Sequence, residues 1–532
     1  MYSEGKIYMG LANGERVYLP LSMCNRHGLI AGASGTGKTI TMKVMAESFA
    51  DAGVPVFLCD IKGDVSGLAV PGEQNEGMEK RIDKFGIRGE FQYKPYSTCF
   101  WDVYGENGHP VRVTVSDMGP DLLSRILGLS EAQEGVLNIA FKVADDKGLL
   151  LIDLKDLKAL LQHLSDHREE YLTTYGNITA QSIGAIIRAI LPLESQGGDQ
   201  FFGEPDLDIF DWIRTDMYGK GMINLLDCVK LVHSPKLYAS FLLWMMAELF
   251  ERLPEAGDGA KPKLVFFFDE AHLLFTDTPK VLVQKIEQLV KLIRSNGVGI
   301  YFVTQSPSDI PDSVLAQLSN RVQHALRAYT PAEQKAVRAA ATSFRANPAF
   351  KTEQVIMELG VGEALTSFLD EKGIPTMVEY TKIICPQSLM APCDDSVRRT
   401  MMRADGMSKY DQMVDNDSAY EMLAKAKEKE EEEAKLEAER AQLQKEREEW
   451  EKQKAKEEEA ARKQKEKEEE AARKKKEREE EAARKKKERE EEAKKRKKDA
   501  AAERRKAKIE TQLISTGGQI LKRGLLNTLF KK

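Results

Sequence analysis

The stretch that decides the fold is residues 28–39, which read GLIAGASGTGKT. A short apolar strand leads into a glycine-rich loop, and a helical pattern of apolar residues follows from Ile40 to Ala50. The loop fits G-x-x-x-x-G-K-[ST], in which glycines let backbone N–H groups approach phosphate oxygens and the following helix N-terminus adds its positive dipole end. We therefore predict a P-loop that binds ATP.

The side chains of this loop have distinct expected roles. The lysine would bridge the β- and γ-phosphates as a catalytic residue, and the hydroxyl of the next residue would bind Mg²⁺. The predicted nucleotide-binding residues are Gly32, Ala33, Ser34, Gly35, Thr36, Gly37, Lys38 and Thr39.

A second strand supplies two carboxylates. Residues 264–270 read LVFFFDE, five apolar residues followed by Asp269 and Glu270. Asp269 is predicted to bind Mg²⁺ together with Thr39, and Glu270 to polarise the attacking water. Two acids at a strand end can also serve as helix caps, but that alternative leaves the upstream P-loop unexplained. The combination predicts an ATPase that uses Mg²⁺.

Two further strands end in polar residues. Residues 299–305 read GIYFVTQ, and Gln305 is expected beside the γ-phosphate, the alternative being an ordinary polar strand end. The strand over 54–60 is followed by DIKGD, in which Asp60 and Asp64 either orient water or Mg²⁺ or cap a turn. Strands that alternate with helices in this way predict an α/β fold with a doubly wound sheet.

The chain divides into four segments by pattern. We expect an ATPase domain over residues 1–395, with a helical insertion at about 116–200 where Leu and Ile recur at helical spacing. A linker is expected over 396–420, a charged segment over 421–508, and a basic amphipathic segment over 509–532. The last segment would dock on a protein or a membrane surface, or cap its own ATPase domain.

The charged segment contains 62 charged residues among 88, and from Glu457 onward it repeats EEEAARKKKER with an 11-residue period. That period is close to the turn of a straight helix, and acidic residues precede basic ones at i,i+4. A single α-helix is favoured over a coiled coil, because Ala is the only apolar residue of the repeat; a disordered tail is the third alternative. Since this segment has no apolar face, a chain that ends near residue 415 is expected to keep its fold.

Composition restricts the setting and the partners. The rest of the chain has 56 acidic and 46 basic residues, which counts against a large DNA-facing surface. The six cysteines have no CxxC pair and no zinc-site spacing, as expected in a reducing compartment. No signal peptide and no membrane-spanning stretch is visible in the sequence, so we expect a cytoplasmic protein.

Four stretches together resemble one superfamily: NRHGLIAGASGTGKT, DIKGDVSGLA, KPKLVFFFDEAHLLF and GVGIYFVTQSPSDIP. They are similar to the HerA–FtsK superfamily of ring ATPases, and most of all to bacterial HerA-like proteins of the YjgR type. The resemblance covers roughly residues 5–390. It implies a RecA-like core, a homo-hexameric ring and ATP bound between subunits.

The resemblance also implies an arginine supplied by the neighbouring subunit. The family position maps to Arg294, and Arg321 is the second candidate; either could be an ordinary surface arginine. The family's nuclease partner docks on an N-terminal barrel, and the 31 residues before Gly32 are too few for one, so no nuclease partner is expected.

Three functions fit these observations. The first is an ATP-driven translocase on a polymer such as DNA. The second is an ATP-switched scaffold that holds a protein partner or a membrane surface through residues 421–532, and the third is a protein-remodelling ATPase.

Overall fold

The computed structural model describes residues 1–476, apart from 256, 258 and 276–279, together with residues 491, 494–498 and 500. The chain divides into two compact units between Lys427 and Glu428. The strands are β1 Tyr2–Ser3, β2 Lys6–Ala12, β3 Glu15–Pro20, β4 Gly28–Ala31, β5 Val56–Asp60, β6 Thr98–Asp102, β7 His109–Pro110, β8 Ile223–Asp227, β9 Leu264–Phe268, β10 Val298–Thr304, β11 Asn320–His324, β12 Glu363–Ser367 and β13 Glu379–Ile383.

The first unit also contains the α-helices α1 to α14. They are α1 Lys38–Asp51, α2 Glu76–Lys84, α3 Val115–Leu127, α4 Glu131–Lys147, α5 Leu154–Asp166, α6 Arg168–Tyr175, α7 Ala180–Leu193, α8 Asp199–Phe201, α9 Pro235–Arg252, α10 Lys280–Ile293, α11 Asp312–Leu315, α12 Pro331–Thr342, α13 Thr352–Glu358 and α14 Asp395–Ala404. A further helix, α15, covers Ala419–Lys476.

In the described residues the strands form one sheet of thirteen strands, in the order β1-β2-β13-β12-β11-β4-β10-β9-β5-β8-β6-β7, with β3 beside β2. The strands from β11 to β7 are all parallel to their neighbours. The strands from β12 outward pair antiparallel. The α/β fold class predicted from the sequence is confirmed.

The four central strands, β4, β10, β9 and β5, are buried along their whole length and mostly apolar, as expected where both faces of a sheet are covered. Alternate side chains of β9 point to opposite faces: Phe266 joins one core with α9, α10 and the helices of the insertion, and Phe267 joins the other core with α1. Five helices, α3–α7, occupy the region expected to be a helical insertion. All six cysteines are buried and free, and they pack as small apolar residues.

Buried polar contacts hold α1 in place. The carboxylate of Glu47, 1% exposed, accepts hydrogen bonds from the backbone N–H groups of Gln387 and Ser388 at 2.8 and 2.9 Å. Burial raises the pKa of Glu47, and these hydrogen bonds oppose that effect. Lys43 on the same helix donates to the carbonyl of Leu389 at 2.6 Å. Residues 387–389 therefore hold α1, the helix that follows the P-loop, through Lys43 and Glu47.

The segment expected to be a linker lies against the first unit instead. It contains α14 and a short 3₁₀ helix, Ser408–Tyr410, and Tyr410 is 1% exposed. The imidazole of buried His109 contacts Asp405 at 3.1 Å and Asp411 at 2.6 Å. Buried aromatic and ionic contacts of this kind are made between residues about 300 positions apart, so local composition gives no sign of them.

The first turn of α15 is also part of the first unit, and the helix begins at Ala419 rather than at 421. Asp156 of α5 is fully buried, and its carboxylate accepts hydrogen bonds from the Ser418 hydroxyl and, at 3.0 Å, from the Tyr420 N–H. The Ala419 N–H donates to the carbonyl of Leu150 at 2.9 Å. The helix start is therefore fixed to the helical insertion.

The rest of α15 is mostly exposed, and one expected pair is present between Glu459 and Lys463 at 2.6 Å. Most of the repeat beyond Lys476 and the whole segment 509–532 lie outside the described residues. In the part of the chain that the structure describes, no helix has the length and apolar character to cross a membrane.

Because of these contacts, we expect the folded ATPase unit to extend beyond residue 415, to about Lys427. A chain ending at Lys427 should unfold at the same temperature as the full chain's first unit. A chain ending at 415 should be about 2–4 kcal/mol less stable, because Asp156 keeps its burial and loses two donors. Thermal unfolding of the two chains, with Ser418→Ala in the longer one as an intermediate case, measures this difference. Equal melting temperatures would show that the Asp156 contacts contribute nothing.

Candidate functional site

The predicted site residues meet at one edge of the sheet. β4, β10, β9 and β5 are consecutive parallel neighbours, so their carboxyl ends lie side by side. The P-loop follows β4, the Asp269–Glu270 pair follows β9, Gln305 follows β10, and Asp60 ends β5. In open α/β sheets ligands bind at this edge.

The P-loop backbone is fixed by its neighbours. The N–H of Gly32 donates to Thr304 at 3.2 Å and that of Ala33 to Ala325 at 2.8 Å, while the Thr36 carbonyl accepts from Gly362 at 3.0 Å. A Cβ on Gly32 would lie 2.5 Å from the Cβ of His324, so only glycine fits there. The next element, α1, begins directly at Lys38.

Lys38 is folded over its own loop. Its side chain is 6% exposed, and Nζ donates to the carbonyls of Gly32 at 2.6 Å and Ala33 at 3.2 Å. Burial lowers the pKa of Lys38, and the nearby Glu270 carboxylate opposes this effect. Phosphate oxygens would compete with these two carbonyls for the ammonium group.

His324 supports the loop and was not among the sequence candidates. Its ring nitrogens lie 2.8 Å from the Thr41 hydroxyl and 3.0 Å from the Glu363 carbonyl. Burial lowers the pKa of His324 to about 4, so the ring is neutral at pH 7. Its place at the end of β11 was the only sequence signal, and that signal does not distinguish it from other strand-end residues.

Asp269 has the arrangement of a cation ligand. It is 2% exposed, and Oδ1 accepts the Glu270 N–H at 2.9 Å. Oδ2 is buried and, among the described residues, has no hydrogen-bond partner. Burial raises the pKa of Asp269 to about 6, whereas the positive charge of Lys62 lowers it. An unpartnered buried carboxylate oxygen is costly, and a bound Mg²⁺ would satisfy it.

Glu270 lies at the centre of the site. Its backbone is left-handed, at φ 43° and ψ 48°, which is uncommon for a residue other than glycine. Oε1 accepts a hydrogen bond from Lys62 at 2.6 Å, and Oε2 lies 3.3 Å from His272 and 3.5 Å from Gln305. Burial alone would raise the pKa of Glu270, but the Lys62 hydrogen bond and the nearby positive charges of Lys62 and Lys38 together outweigh it, and the pKa is lowered.

The two aspartates of DIKGD differ in their surroundings. Asp60 accepts N–H groups from Gly63 at 2.7 Å, Asp64 at 3.2 Å and Val65 at 3.1 Å, so it caps the turn after β5. Its burial raises the pKa of Asp60 to about 6. Asp64 is half-buried, with Oδ1 shielded and unpartnered among the described residues. The turn alternative therefore describes Asp60, and Asp64 remains a candidate for the site.

The two candidate arginines lie away from this edge. Arg294 begins a 3₁₀ helix just before β10, and its charge acts on His27, the residue before β4. Arg321 donates from Nε, NH1 and NH2 to the carbonyls of Leu318, Ser343 and Leu315 at 2.9, 3.0 and 3.1 Å. Three backbone contacts give Arg321 a structural role within its own subunit.

Comparison with known proteins identifies relatives. The family model for the helicase HerA-like C-terminal region matches residues 8–532. The chain is 20% identical over 352 residues to the DNA double-strand break repair helicase HerA of Sulfurisphaera tokodaii, covering 63% of this chain and 62% of the relative. It is 18% identical over 359 residues to the protein of the same name from Sulfolobus acidocaldarius, with 63% and 62% covered. The chain thus spans less than two thirds of each relative's length.

Solved structures with similar chain paths are more distant. The plasmid coupling protein TrwB in complex with ADP and Mg²⁺ has a TM-score of 0.45 at 15% identity, covering 74% of this chain and 92% of TrwB. VirB4 of Thermoanaerobacter pseudethanolicus has a TM-score of 0.45 at 16% identity, covering 72% and 97%. Likeness at this level indicates no function. The family match spans nearly all of the chain, and the protein therefore belongs to the helicase HerA-like C-terminal family.

Proposed function

We propose that this protein hydrolyses ATP with Mg²⁺ at the carboxyl edge of its parallel sheet. The observation that carries the proposal is the buried Oδ2 of Asp269, which has no hydrogen-bond partner among the described residues. Asp269 follows β9, and only β10 lies between β9 and β4, the strand that enters the P-loop. Asp269 and Thr39 would hold Mg²⁺, which supplies positive charge against the phosphate oxygens when bound.

The chain's own residues account for the remaining steps. Lys38 and the N–H groups of residues 34–39 would bind the β- and γ-phosphates, since those of Gly32 and Ala33 already donate to backbone carbonyls. Glu270 would accept a proton from water as the water oxygen attacks the γ-phosphorus; the bond from that phosphorus to the bridging oxygen breaks, and ADP leaves with the electron pair. Gln305, close to Glu270, would orient the same water.

We further propose that the site is completed by Arg294 of a neighbouring subunit in a homo-hexameric ring. Arg294 precedes β10, whose seven residues carry the chain about 20 Å to the opposite edge. It therefore lies too far from the phosphates of its own subunit and can act only in trans. Arg321 is less suited, because its three donors are used by backbone carbonyls.

Translocation on DNA inside the cytoplasm is the proposed use of this hydrolysis. The support is the similarity to the two HerA proteins, which are DNA double-strand break repair helicases, each matched over 62% of its length. A second candidate is an ATP-switched scaffold or protein-remodelling ATPase, in which the charged segment from 421 holds a protein or a membrane surface. The fixed start of α15 on α5 favours this candidate, since it links the segment to the ATPase unit.

Stimulation of hydrolysis separates the two functions. We expect duplex DNA to raise the ATPase rate of the full chain at low salt, and the effect to weaken as salt screens the contacts. Single strands and anionic vesicles serve as parallel arms. A rate that DNA leaves unchanged, and that a co-purifying protein or vesicles raise, would favour the scaffold.

Glu270→Gln should bind ATP and leave it unhydrolysed. The amide keeps the size of the side chain but cannot accept the proton, so turnover should fall at least about a hundredfold. Phosphate release and nucleotide binding by the same sample measure the two effects. Glu106→Gln is the matched control, because Glu106 is exposed and pairs with Lys230 at 2.6 Å. Normal turnover by Glu270→Gln would point to Asp64 as the base.

Arg294→Ala should keep ATP affinity and lose roughly a thousandfold in turnover. Rings mixed from Arg294→Ala and Glu270→Gln subunits should regain activity. In such rings an Arg294→Ala subunit, which keeps Glu270, can lie beside a Glu270→Gln subunit, which keeps Arg294. Arg321→Ala should instead lower the melting temperature through the loss of its three backbone contacts. Absence of recovery at every mixing ratio, together with recovery in Arg321→Ala mixtures, would assign the role to Arg321.

A further inference from the structure

We propose that Lys62 is a positioning residue that masks Glu270 and is released by the γ-phosphate of ATP. This inference rests on the proposed ATPase function and adds a control to its site. Without a γ-phosphate, the Lys62 ammonium holds the Glu270 carboxylate. With ATP bound, the phosphate takes the ammonium group, and Glu270 is free to accept a proton from water.

The contact between Lys62 and Glu270 is short, and Lys62 is much more exposed than Glu270. Lys62 Nζ lies 2.6 Å from Glu270 Oε1, and the side chains are 44% and 7% exposed respectively. A half-exposed lysine on a loop can change partner with little cost to the surrounding structure, because its stem is flexible and its head is already partly hydrated. Glu270, in contrast, is enclosed, so the lysine is the partner that moves.

Lys62 lies among the charged groups at the edge of the sheet where the phosphates are expected. Lys62 interacts electrostatically with Asp269 and Glu270, and its positive charge also acts on Lys38, the P-loop lysine. Two ammonium groups therefore converge on two carboxylates at the edge where the phosphates are expected. Lys38 is engaged with its own loop carbonyls, whereas the hydrogen bond of Lys62 goes directly to the proposed base.

Masking has a clear chemical consequence. A carboxylate that holds an ammonium group at 2.6 Å has one oxygen engaged and is a weaker base toward water. The γ-phosphate carries more negative charge than the carboxylate and competes with it for the Lys62 ammonium group. ADP has no γ-phosphate and cannot compete in this way. Lys62 would therefore distinguish ATP from ADP, and it would hold the base inactive between turnovers.

The test compares affinities for ADP and for a non-hydrolysable ATP analogue, measured by calorimetry with Mg²⁺ on the full chain. Lys62→Met keeps the apolar stem and removes the charge. We expect ADP affinity to stay within about twofold, and analogue affinity to fall at least about tenfold, the effect of one charge-assisted hydrogen bond. Lys230→Met is the matched control, because Lys230 forms an exposed ion pair of the same 2.6 Å length with Glu106.

A double-mutant cycle tests the exchange of partners. Glu270→Gln removes the competing charge, so the analogue should bind more tightly to this variant than to the wild type. That gain should vanish when Lys62→Met is also present. Equal effects of Lys62→Met on ADP and analogue, or a gain that survives in the double variant, would overturn the masking role. If the wild type binds neither nucleotide, the proposed ATPase function fails as well, so the two failures are distinguishable.

Discussion

The site depends on a P-loop backbone fixed between three elements of the sheet. Its N–H groups at Gly32 and Ala33 donate to the residues that end β10 and follow β11, and Gly362, just before β12, donates to Thr36. Close contact with His324 leaves space only for glycine at position 32. Because the loop is held by strands on both sides of β4, its phosphate-facing amides are oriented before any ligand arrives, which is the condition for electrostatic preorganisation.

The charged groups at this edge either lack a partner or have partners that a ligand could replace. Among the described residues, one shielded oxygen of Asp269 has no hydrogen-bond partner, and Lys38 is satisfied by carbonyls that a phosphate would displace. Glu270 is held by Lys62. In a buried setting such groups are costly to leave alone, so the edge favours a ligand that brings both a divalent cation and several anionic oxygens. ATP with Mg²⁺ has that composition.

The sequence predicted the parts of the molecule that are encoded locally. The P-loop, the apolar strand ending in two acids and the alternation of strands with helices all lie within short stretches, and the observed sheet follows from them. The groups that the sequence did not reveal act over long separations. Lys62 reaches Glu270 across 208 positions, and His324 reaches Thr41 across 283. Residues 396–420 were expected to be a linker and instead pack within the first unit, for the same reason. Their contacts are long-range: Ser418 and Asp156, for example, are 262 positions apart. Residue types and local sequence patterns do not reveal which distant residues form these pairs.

We propose that the carboxyl edge of the sheet hydrolyses ATP and that Lys38 is the lysine of this site. Phosphate release from ATP by the purified chain, with Mg²⁺ and then with excess EDTA, tests it most directly when the wild type is compared with Lys38→Ala. We expect phosphate release by the wild type, loss of that release with EDTA, and no release by Lys38→Ala. Release that continues at the same rate in Lys38→Ala, or no release by the wild type under any condition, would contradict it.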